Sequence, residues 1–185
     1  MLENLQETTI HEEKIYKGRI ISLETYKMLL PNGLEIQRDV VRHPGTIAVL
    51  ALQDDRMIVV EQFRKPLERS LMEIPAGRPN PGETDMAVVA FRELREETGY
   101  IAGSLKHLGS FYTSPGVSDE WVHLYAAENL KKGETEPDAD ELLRCGSLSL
   151  EEALGCMEDG SIGDAKTVSA ILRWKLYRLS GTFEL

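Results

Sequence analysis

The chain has 185 residues, 42 % of them hydrophobic, which fits one folded domain with a sizeable core and excludes wholesale disorder. Its formal net charge of −10 argues against non-specific binding to nucleic acid or to an anionic membrane, although bound cations can still bring in a small anionic ligand. We see no signal-peptide pattern and no apolar stretch long enough to span a bilayer. The two cysteines, Cys145 and Cys156, do not suggest a disulfide framework. We therefore expect a cytoplasmic protein.

The first third of the chain is predicted to be mostly β-strands. Residues 1–12 are polar and we expect them to be loose, with strand character beginning at Lys14. Asn32-Gly33 is a strong two-residue turn signal and predicts a hairpin, and residues 53–56 join a second one. The strands of these two hairpins are predicted at 26–30, 34–41, 47–52 and 57–63.

The rest of the chain is predicted to alternate strands with helices. A first helix is predicted over residues 85–98, with an apolar face roughly opposite its acidic residues. The polar segment 130–140 is predicted as a loop. Ser149 to Glu152 match a capping box, so a second helix should begin there and end near Gly160. The remaining predicted elements are strands at 106–112, 120–128 and 142–148 and a helix at 164–180. This is a mixed α+β layout.

Residues 73–99 carry the most informative chemistry. Glu93, Glu96 and Glu97 stand at i, i+3 and i+4, so a helix brings three carboxylates to one face. Like charges at this spacing cost a helix about 0.2–0.5 kcal/mol per pair, which favours a positive group between them. A divalent cation such as Mg²⁺ takes oxygen ligands and would supply it, whereas a solvated acidic face is the alternative reading of the spacing alone. The proline- and glycine-rich stretch before the helix favours a metal–diphosphate site.

The same segment resembles the Nudix box, whose pattern is Gly, five residues, Glu, seven residues, then Arg-Glu-aliphatic-x-Glu-Glu-x-Gly-aliphatic. This chain departs from the pattern twice: eight residues separate Glu83 from Arg92, and Tyr100 takes the last aliphatic position. The extra residue is expected around residues 84–86. The matching residues are Gly77, Glu83, Arg92, Glu93, Leu94, Glu96, Glu97 and Gly99.

Beyond the box, residues 16–179 are similar to the ADP-ribose pyrophosphatase branch of the Nudix family. The resemblance implies an α/β/α sandwich around a mixed sheet, with a small N-terminal antiparallel sheet exchanged across a homodimer. It therefore implies an N-terminal segment of residues 1–43 and a Nudix catalytic domain of residues 44–185. The matching segments are 38–45, 61–64, 73–77, 114–120, 138–141 and 164–167.

The resemblance also implies an activity: hydrolysis of ADP-ribose to AMP and ribose 5-phosphate, which is a step of nucleotide metabolism. Two or three Mg²⁺ ions are implied, with Mn²⁺ as the alternative. The implied metal ligands are the Ala76 carbonyl, Glu93, Glu96 and Glu97. Glu96 and Glu97 are also catalytic candidates, and Glu141 is the candidate base, with Asp140 and Glu136 as substitutes; a solvated acidic loop is the other interpretation of that segment.

Substrate contacts are predicted from the remaining matching residues. Arg64 is the strongest candidate for a phosphate or ribose ligand, because a guanidinium matches phosphate oxygens bidentately; a surface arginine at a strand end is the alternative. Glu73 and Glu120 either contact the nucleoside or a third metal, or form ordinary salt bridges. The other candidate substrate ligands are Arg38, Ser114 and Gly116.

Two residues of the box have structural alternatives. For Arg92 we favour neutralisation of the neighbouring acids and attachment of the helix to the preceding loop. Glu83 is either an outer metal ligand or an exposed loop acid, because the longer spacing affects its position.

Three functional hypotheses remain open. The first is the ADP-ribose hydrolase, together with its close rivals, hydrolases of other nucleoside diphosphate sugars or derivatives. The second is a Nudix-fold sensor that binds ADP-ribose without cleaving it; loss of metal carboxylates would signal this, and the chain keeps them. The third is an acidic interaction protein. The expected partner is a small nucleoside diphosphate, with no nucleic acid or membrane.

Overall fold

The computed structural model describes residues 5–134 and 142–183, which contain twelve strands and three α-helices. A short 3₁₀ helix covers Lys65–Leu67. The helices are α1 (Met86–Thr98), α2 (Leu150–Glu158) and α3 (Ala165–Ser180). The strands are β1 (Thr8–Lys17), β2 (Ser22–Leu29), β3 (Glu35–Arg42), β4 (Thr46–Gln53), β5 (Arg56–Arg64), β6 (Arg69–Glu73), β7 (Ala76–Gly77), β8 (Tyr100–Ile101), β9 (Ser104–Tyr112), β10 (Trp121–Glu128), β11 (Lys131–Lys132) and β12 (Leu143–Leu148).

The chain divides into two compact units. The first unit comprises Met1–Gly45 and Tyr112–Trp121, and the second comprises Thr46–Phe111 and Val122–Leu185. The predicted boundary between residues 43 and 44, and the exchange of the N-terminal segment across a dimer, stay predictions.

The first unit contains an antiparallel sheet in the order β1-β2-β3. The predicted hairpin at Asn32-Gly33 is confirmed: β2 pairs with β3 from Ser22↔Arg42 to Leu29↔Glu35. The turn needs a positive φ of 84° at Gly33, which glycine adopts without steric cost. The expectation of a loose N-terminus is wrong for residues 8–12, which lie in β1. Backbone pairing with β2 holds this strand although all ten of its residues are exposed, so no hydrophobic pattern reveals it.

The second unit is built on a mixed sheet in the order β12-β5-β4-β10-β9, with β6 joined to β5 and β7 to β4. β10 runs parallel to β4, whereas β5 and β7 run antiparallel to it. Successive residues of a strand face opposite sides, and β4 shows this clearly. Ala48 and Leu50 pack in a core that includes Trp174 of α3, whereas Ile47 and Val49 pack in a core with α1. Helices therefore cover both faces, as the predicted α/β/α sandwich requires.

Helix ends follow the sequence signals. Asp85 caps α1 by accepting a hydrogen bond from Ala87 N at 2.9 Å, and Gly99 ends it with a φ of 71°. The predicted capping box of α2 is confirmed, with Ser149 and Glu152 bonded reciprocally at 2.7 and 3.2 Å. Asp164 caps α3 by accepting from Thr167 N at 3.0 Å. The prediction of a loop over 130–140 is wrong for β11, because its backbone pairs with β8.

Within the described ranges, none of the helices combines the length and the apolar composition needed to cross a bilayer.

Candidate functional site

Residues 73–77 run from the end of β6 through β7 and contact two helices of the second unit. Strand β4 and helices α1 and α3 all hold this segment. Ile74 N donates to Thr167 Oγ1 of α3 at 3.0 Å, and Val49 N of β4 donates to the Pro75 carbonyl at 2.9 Å. Ala76 N donates to a carboxylate oxygen of Glu97 in α1 at 3.1 Å. The segment therefore connects the N-terminus of α3 to the acidic turn of α1.

Two of the three acids at i, i+3 and i+4 are buried against this segment. Glu97 is 2 % exposed and Glu93 is 8 % exposed. The Glu93 carboxylate occupies the space that a side chain at Gly77 would fill, since a Cβ added there would lie 2.0 Å from Glu93 Cδ. Only glycine allows the carboxylate and the backbone to approach so closely.

The expectation of an apolar face opposite the acids is wrong. Glu93 and Glu97 share the buried side of α1 with Val89, Ala90 and Leu94. The reason is that the neighbouring segment 73–77 presents polar backbone groups to α1. Carboxylates can therefore be buried on a face of the helix that the hydrophobic pattern predicts to be exposed to solvent.

Arg92 balances the charge of the surrounding acids. Its Nη1 lies 2.9 Å from Glu93 and 2.8 Å from Glu96, and its Nη2 lies 3.1 Å from Glu83. Nη2 also donates to the Arg78 carbonyl at 3.0 Å. The favoured interpretation of Arg92 is thus confirmed: it neutralises acids and attaches α1 to the preceding loop.

Glu83 folds back on its own loop. It accepts a hydrogen bond from Asn80 N at 2.6 Å, and this bond, together with Arg92, lowers the pKa of the Glu83 carboxyl. Its alternative role as an outer metal ligand stays a prediction.

The oxygen atoms at this site are of the kinds that bind a hard divalent cation. Among residues 5–134 and 142–183, no three side chains of His, Cys, Asp or Glu are grouped so that they alone could hold a metal ion. The site instead offers the buried carboxylates of Glu93 and Glu97 beside the backbone of residues 76–77, and oxygen donors of both kinds are those that Mg²⁺ takes. The proposed ligation by the Ala76 carbonyl and Glu96 stays a prediction.

A second charged cluster lies at the start of the same segment. Glu73, only 1 % exposed, accepts two hydrogen bonds from Arg64, from Nε at 2.6 Å and from Nη2 at 2.7 Å. It also accepts one from Lys166 Nζ, which binds Asp164 at 2.9 Å as well. Burial acts to raise the pKa of Glu73, but the bonds to Arg64 and Lys166 outweigh it and the pKa is lowered. Glu73 is therefore ionised at neutral pH.

Sequence reasoning missed Lys166. The segment 164–167 was among those that carry the resemblance, but nothing in its residue types indicates a partner 93 positions earlier in the chain. The Thr167 contact with Ile74 was missed for the same reason.

Four predicted substrate ligands lie in the first unit. Arg38 is paired with Glu7, with the Nη2–Oε1 distance at 2.7 Å. Glu120 accepts a hydrogen bond from Thr113 Oγ1 at 2.7 Å. Ser114 and Gly116 form a turn in which the Ser114 carbonyl accepts from Val117 N and Ser118 N, as the sequence suggested. Their contacts with substrate stay predictions. The candidate base Glu141 and its substitutes, Asp140 and Glu136, lie outside the described residues.

Comparison with known proteins bears on the same residues. The NUDIX domain family model matches residues 41–170. An ADP-ribose pyrophosphatase of Bacillus subtilis is 46 % identical over 173 residues, covering 92 % of this chain and 93 % of that protein. The methanol dehydrogenase activator of Bacillus methanolicus is also 46 % identical, covering 90 % and 91 %. An ADP-ribose pyrophosphatase of Mycobacterium tuberculosis is 33 % identical, covering 89 % and 81 %.

A solved structure described as an ADP compounds hydrolase has a TM-score of 0.81 to this chain. The match covers 97 % of this chain and 98 % of that one, at 24 % identity. At this identity the likeness establishes the fold.

Replacing Gly77 by alanine should displace the Glu93 carboxylate, because the added Cβ would overlap it. We expect Mn²⁺ affinity, measured by electron paramagnetic resonance, to fall by about 10–100-fold while cooperative unfolding is retained. Gly155→Ala in α2 is the matched control, since nothing lies within 4 Å of the added methyl group. Equal Mn²⁺ affinity in the wild type and Gly77→Ala would contradict the importance of this close approach.

Proposed function

Because this chain belongs to the Nudix family, we propose that it is a pyrophosphohydrolase whose substrate is ADP-ribose. Water attacks one phosphorus of the diphosphate, a P–O bond to the water oxygen forms, and the bond to the bridging oxygen breaks, so the products are AMP and ribose 5-phosphate. The observation that carries the proposal is the pair of buried carboxylates, Glu93 and Glu97, packed on residues 76–77. The relatives named ADP-ribose pyrophosphatase, which align with most of the chain, support the choice of substrate.

The metal centre of this proposal consists of Glu93, Glu96, Glu97 and the Ala76 carbonyl. Two or three divalent ions, Mg²⁺ or alternatively Mn²⁺, would neutralise phosphate charge and lower the pKa of a bound water. The Glu97 carboxylate is buried and accepts a hydrogen bond from Ala76 N, which orients it toward the segment 73–77. Arg92 keeps the acidic turn compatible with a folded helix by compensating Glu93 and Glu96.

Arg64 is the proposed ligand of the substrate phosphates. The two hydrogen bonds to Glu73 fix the orientation of the Arg64 guanidinium. A side chain that is already ordered loses less entropy when it binds an anion. Arg38, Ser114, Gly116 and Glu120 complete the proposed substrate contacts. Glu141 is proposed to accept the proton of the attacking water, with Asp140 and Glu136 as substitutes.

A panel of substrates tests the named reaction. Purified protein with Mg²⁺ is incubated with ADP-ribose, ADP-glucose, GDP-mannose and a dinucleotide, and kcat/KM is compared. We expect the highest value for ADP-ribose, with AMP and ribose 5-phosphate as the products by chromatography. A higher value for a nucleotide sugar would replace the substrate, and no hydrolysis of any diphosphate would leave a non-cleaving sensor as the better interpretation.

Replacing Glu97 by glutamine should lower turnover by at least about 10²-fold, as expected for loss of a metal ligand or an acid–base group. Circular dichroism should report an unchanged fold, because the amide is nearly isosteric with the carboxylate. Glu158→Gln, at an exposed position of α2, is the control. Near-normal turnover of Glu97→Gln at saturating Mg²⁺ would remove Glu97 from the mechanism.

We also propose that the protein is a homodimer that exchanges residues 1–43. All ten residues of β1 are exposed in the single chain, among them Ile10, Ile15 and Tyr16, and exposed apolar groups of this kind favour an interface. Sedimentation equilibrium should give twice the chain mass of 20.8 kDa. Removal of residues 1–17 should abolish that species; a wild-type monomer would exclude the exchange.

A cytoplasmic location completes the proposal. Cys145 and Cys156 are both free thiols in the structure, in keeping with a reducing compartment. Recovery of the native protein outside the cytoplasmic fraction of its cells would contradict it.

A further inference from the structure

Glu73 is bound by two cations that differ in their access to solvent. The Glu73 side chain is 2 % exposed and that of Lys166 is 12 % exposed, whereas the Arg64 side chain is 38 % exposed. Arg64 is therefore the more exposed cation of the cluster, and Lys166, which binds the same Glu73 oxygen Oε2 as Arg64 Nη2, is the more buried one.

The N-terminus of α3 fixes Lys166 in this place. Asp164 caps the helix and also binds Lys166 Nζ at 2.9 Å, so one carboxylate orders both the first turn and the ammonium group. The next residue, Thr167, accepts the hydrogen bond from Ile74 N and is fully buried. Two adjacent residues of α3 thus hold two adjacent residues of the segment 73–77.

Two cations, Arg64 and Lys166, face the carboxylates of Glu73 and Asp164, so this cluster is neutral only while Lys166 is charged. Glu97 adds a further negative charge that acts on Arg64. One buried carboxylate, Glu73, is shared by two cations, so its negative charge does not cancel that of Arg64 alone. The second carboxylate, Asp164, lies at the positive end of the α3 dipole, which compensates part of its charge. Without Lys166, Arg64 and Glu73 would form a neutral pair and Asp164 would add a negative charge nearby.

We propose that Lys166 is a positioning residue for the anion site at Arg64: by sharing Glu73 it fixes the Arg64 guanidinium and keeps its positive charge available to a phosphate group of the substrate. This inference rests on the proposed function insofar as it takes Arg64 to be a phosphate ligand. Lys166 itself makes no contact with substrate in this arrangement and takes no part in bond breaking.

Lys166→Gln, which keeps a hydrogen-bond donor and removes the charge, is the main test. ADP-ribose is titrated calorimetrically into protein in EDTA, where it should bind without turnover. We expect Kd to rise about tenfold, the effect of one charge several ångströms from an anion at intermediate dielectric. With Mg²⁺, KM should rise by a similar factor while kcat changes less than threefold, and Lys166→Arg should restore most of the affinity.

A matched control separates this role from a merely structural one. Lys175→Gln removes the same charge from an exposed position of the same helix and should leave Kd and KM unchanged. Lower thermal stability of Lys166→Gln with unchanged Kd would mean that Lys166 only supports the fold, and the inference would be overturned. Should Lys166→Gln not fold, Lys166→Met removes the same charge in its place: a Kd about ten times that of wild type would support the inference, and an unchanged Kd would overturn it.

Inorganic phosphate gives a readout that is independent of the identity of the substrate. The Nε–H signal of Arg64 in ¹H–¹⁵N spectra of the metal-free protein is followed during titration with phosphate. We expect a saturable shift in the wild type and the need for about ten times more phosphate in Lys166→Gln. If phosphate shifts the Arg64 signal as expected but the protein does not hydrolyse ADP-ribose, only the proposed substrate would be overturned. No phosphate response at Arg64 in the wild type, or an equal response in the variant, would overturn the role of Lys166.

Discussion

Carboxylates buried against backbone are the constraint on which the second unit depends. An ionised carboxylate is costly to remove from water unless cations and hydrogen-bond donors replace the lost hydration. Glu73, Glu93 and Glu97 are each less than 9 % exposed; Glu73 begins the segment 73–77, and Glu93 and Glu97 lie beside its last two residues. The compensation comes from cations beside Glu73 and Glu93 and from a backbone N–H at Glu97.

This constraint explains why the segment has its composition. Gly77 has no side chain where the Glu93 carboxylate lies, and Pro75 has no N–H that would need a partner, while its carbonyl accepts a bond from β4. The segment is fixed from both sides, by α1 through Glu97 and by α3 through Thr167. Helices on opposite faces of the sheet therefore both contact one short stretch of chain.

Charge balance divides the acidic residues into two groups. Glu96 of α1 and Glu83 of the preceding loop are more exposed, and Arg92 of α1 compensates both charges. Glu93 and Glu97 are buried; Arg92 Nη1 lies 2.9 Å from Glu93, and Glu97 accepts a hydrogen bond from Ala76 N. The like-charge spacing in α1 is thus tolerated because an arginine and backbone N–H groups compensate the carboxylates, and a hard cation at the proposed site would add to that compensation.

The sequence by itself determined the elements whose signals are local. Three features lie where the sequence predicts them, and each is specified by residues only a few positions apart. They are the Asn32-Gly33 turn, the capping box at Ser149 and the end of α1 at Gly99. The Nudix box likewise located the acidic helix, since its spacing is contained in α1 and the loop before it. Tertiary structure alone decided that β1 is a strand, that Glu93 and Glu97 face inward, and that Lys166 binds Glu73. Each of these features depends on a partner that is distant in the sequence. For the buried carboxylates, the free energy of burial depends on the cations and hydrogen-bond donors that the fold places beside them.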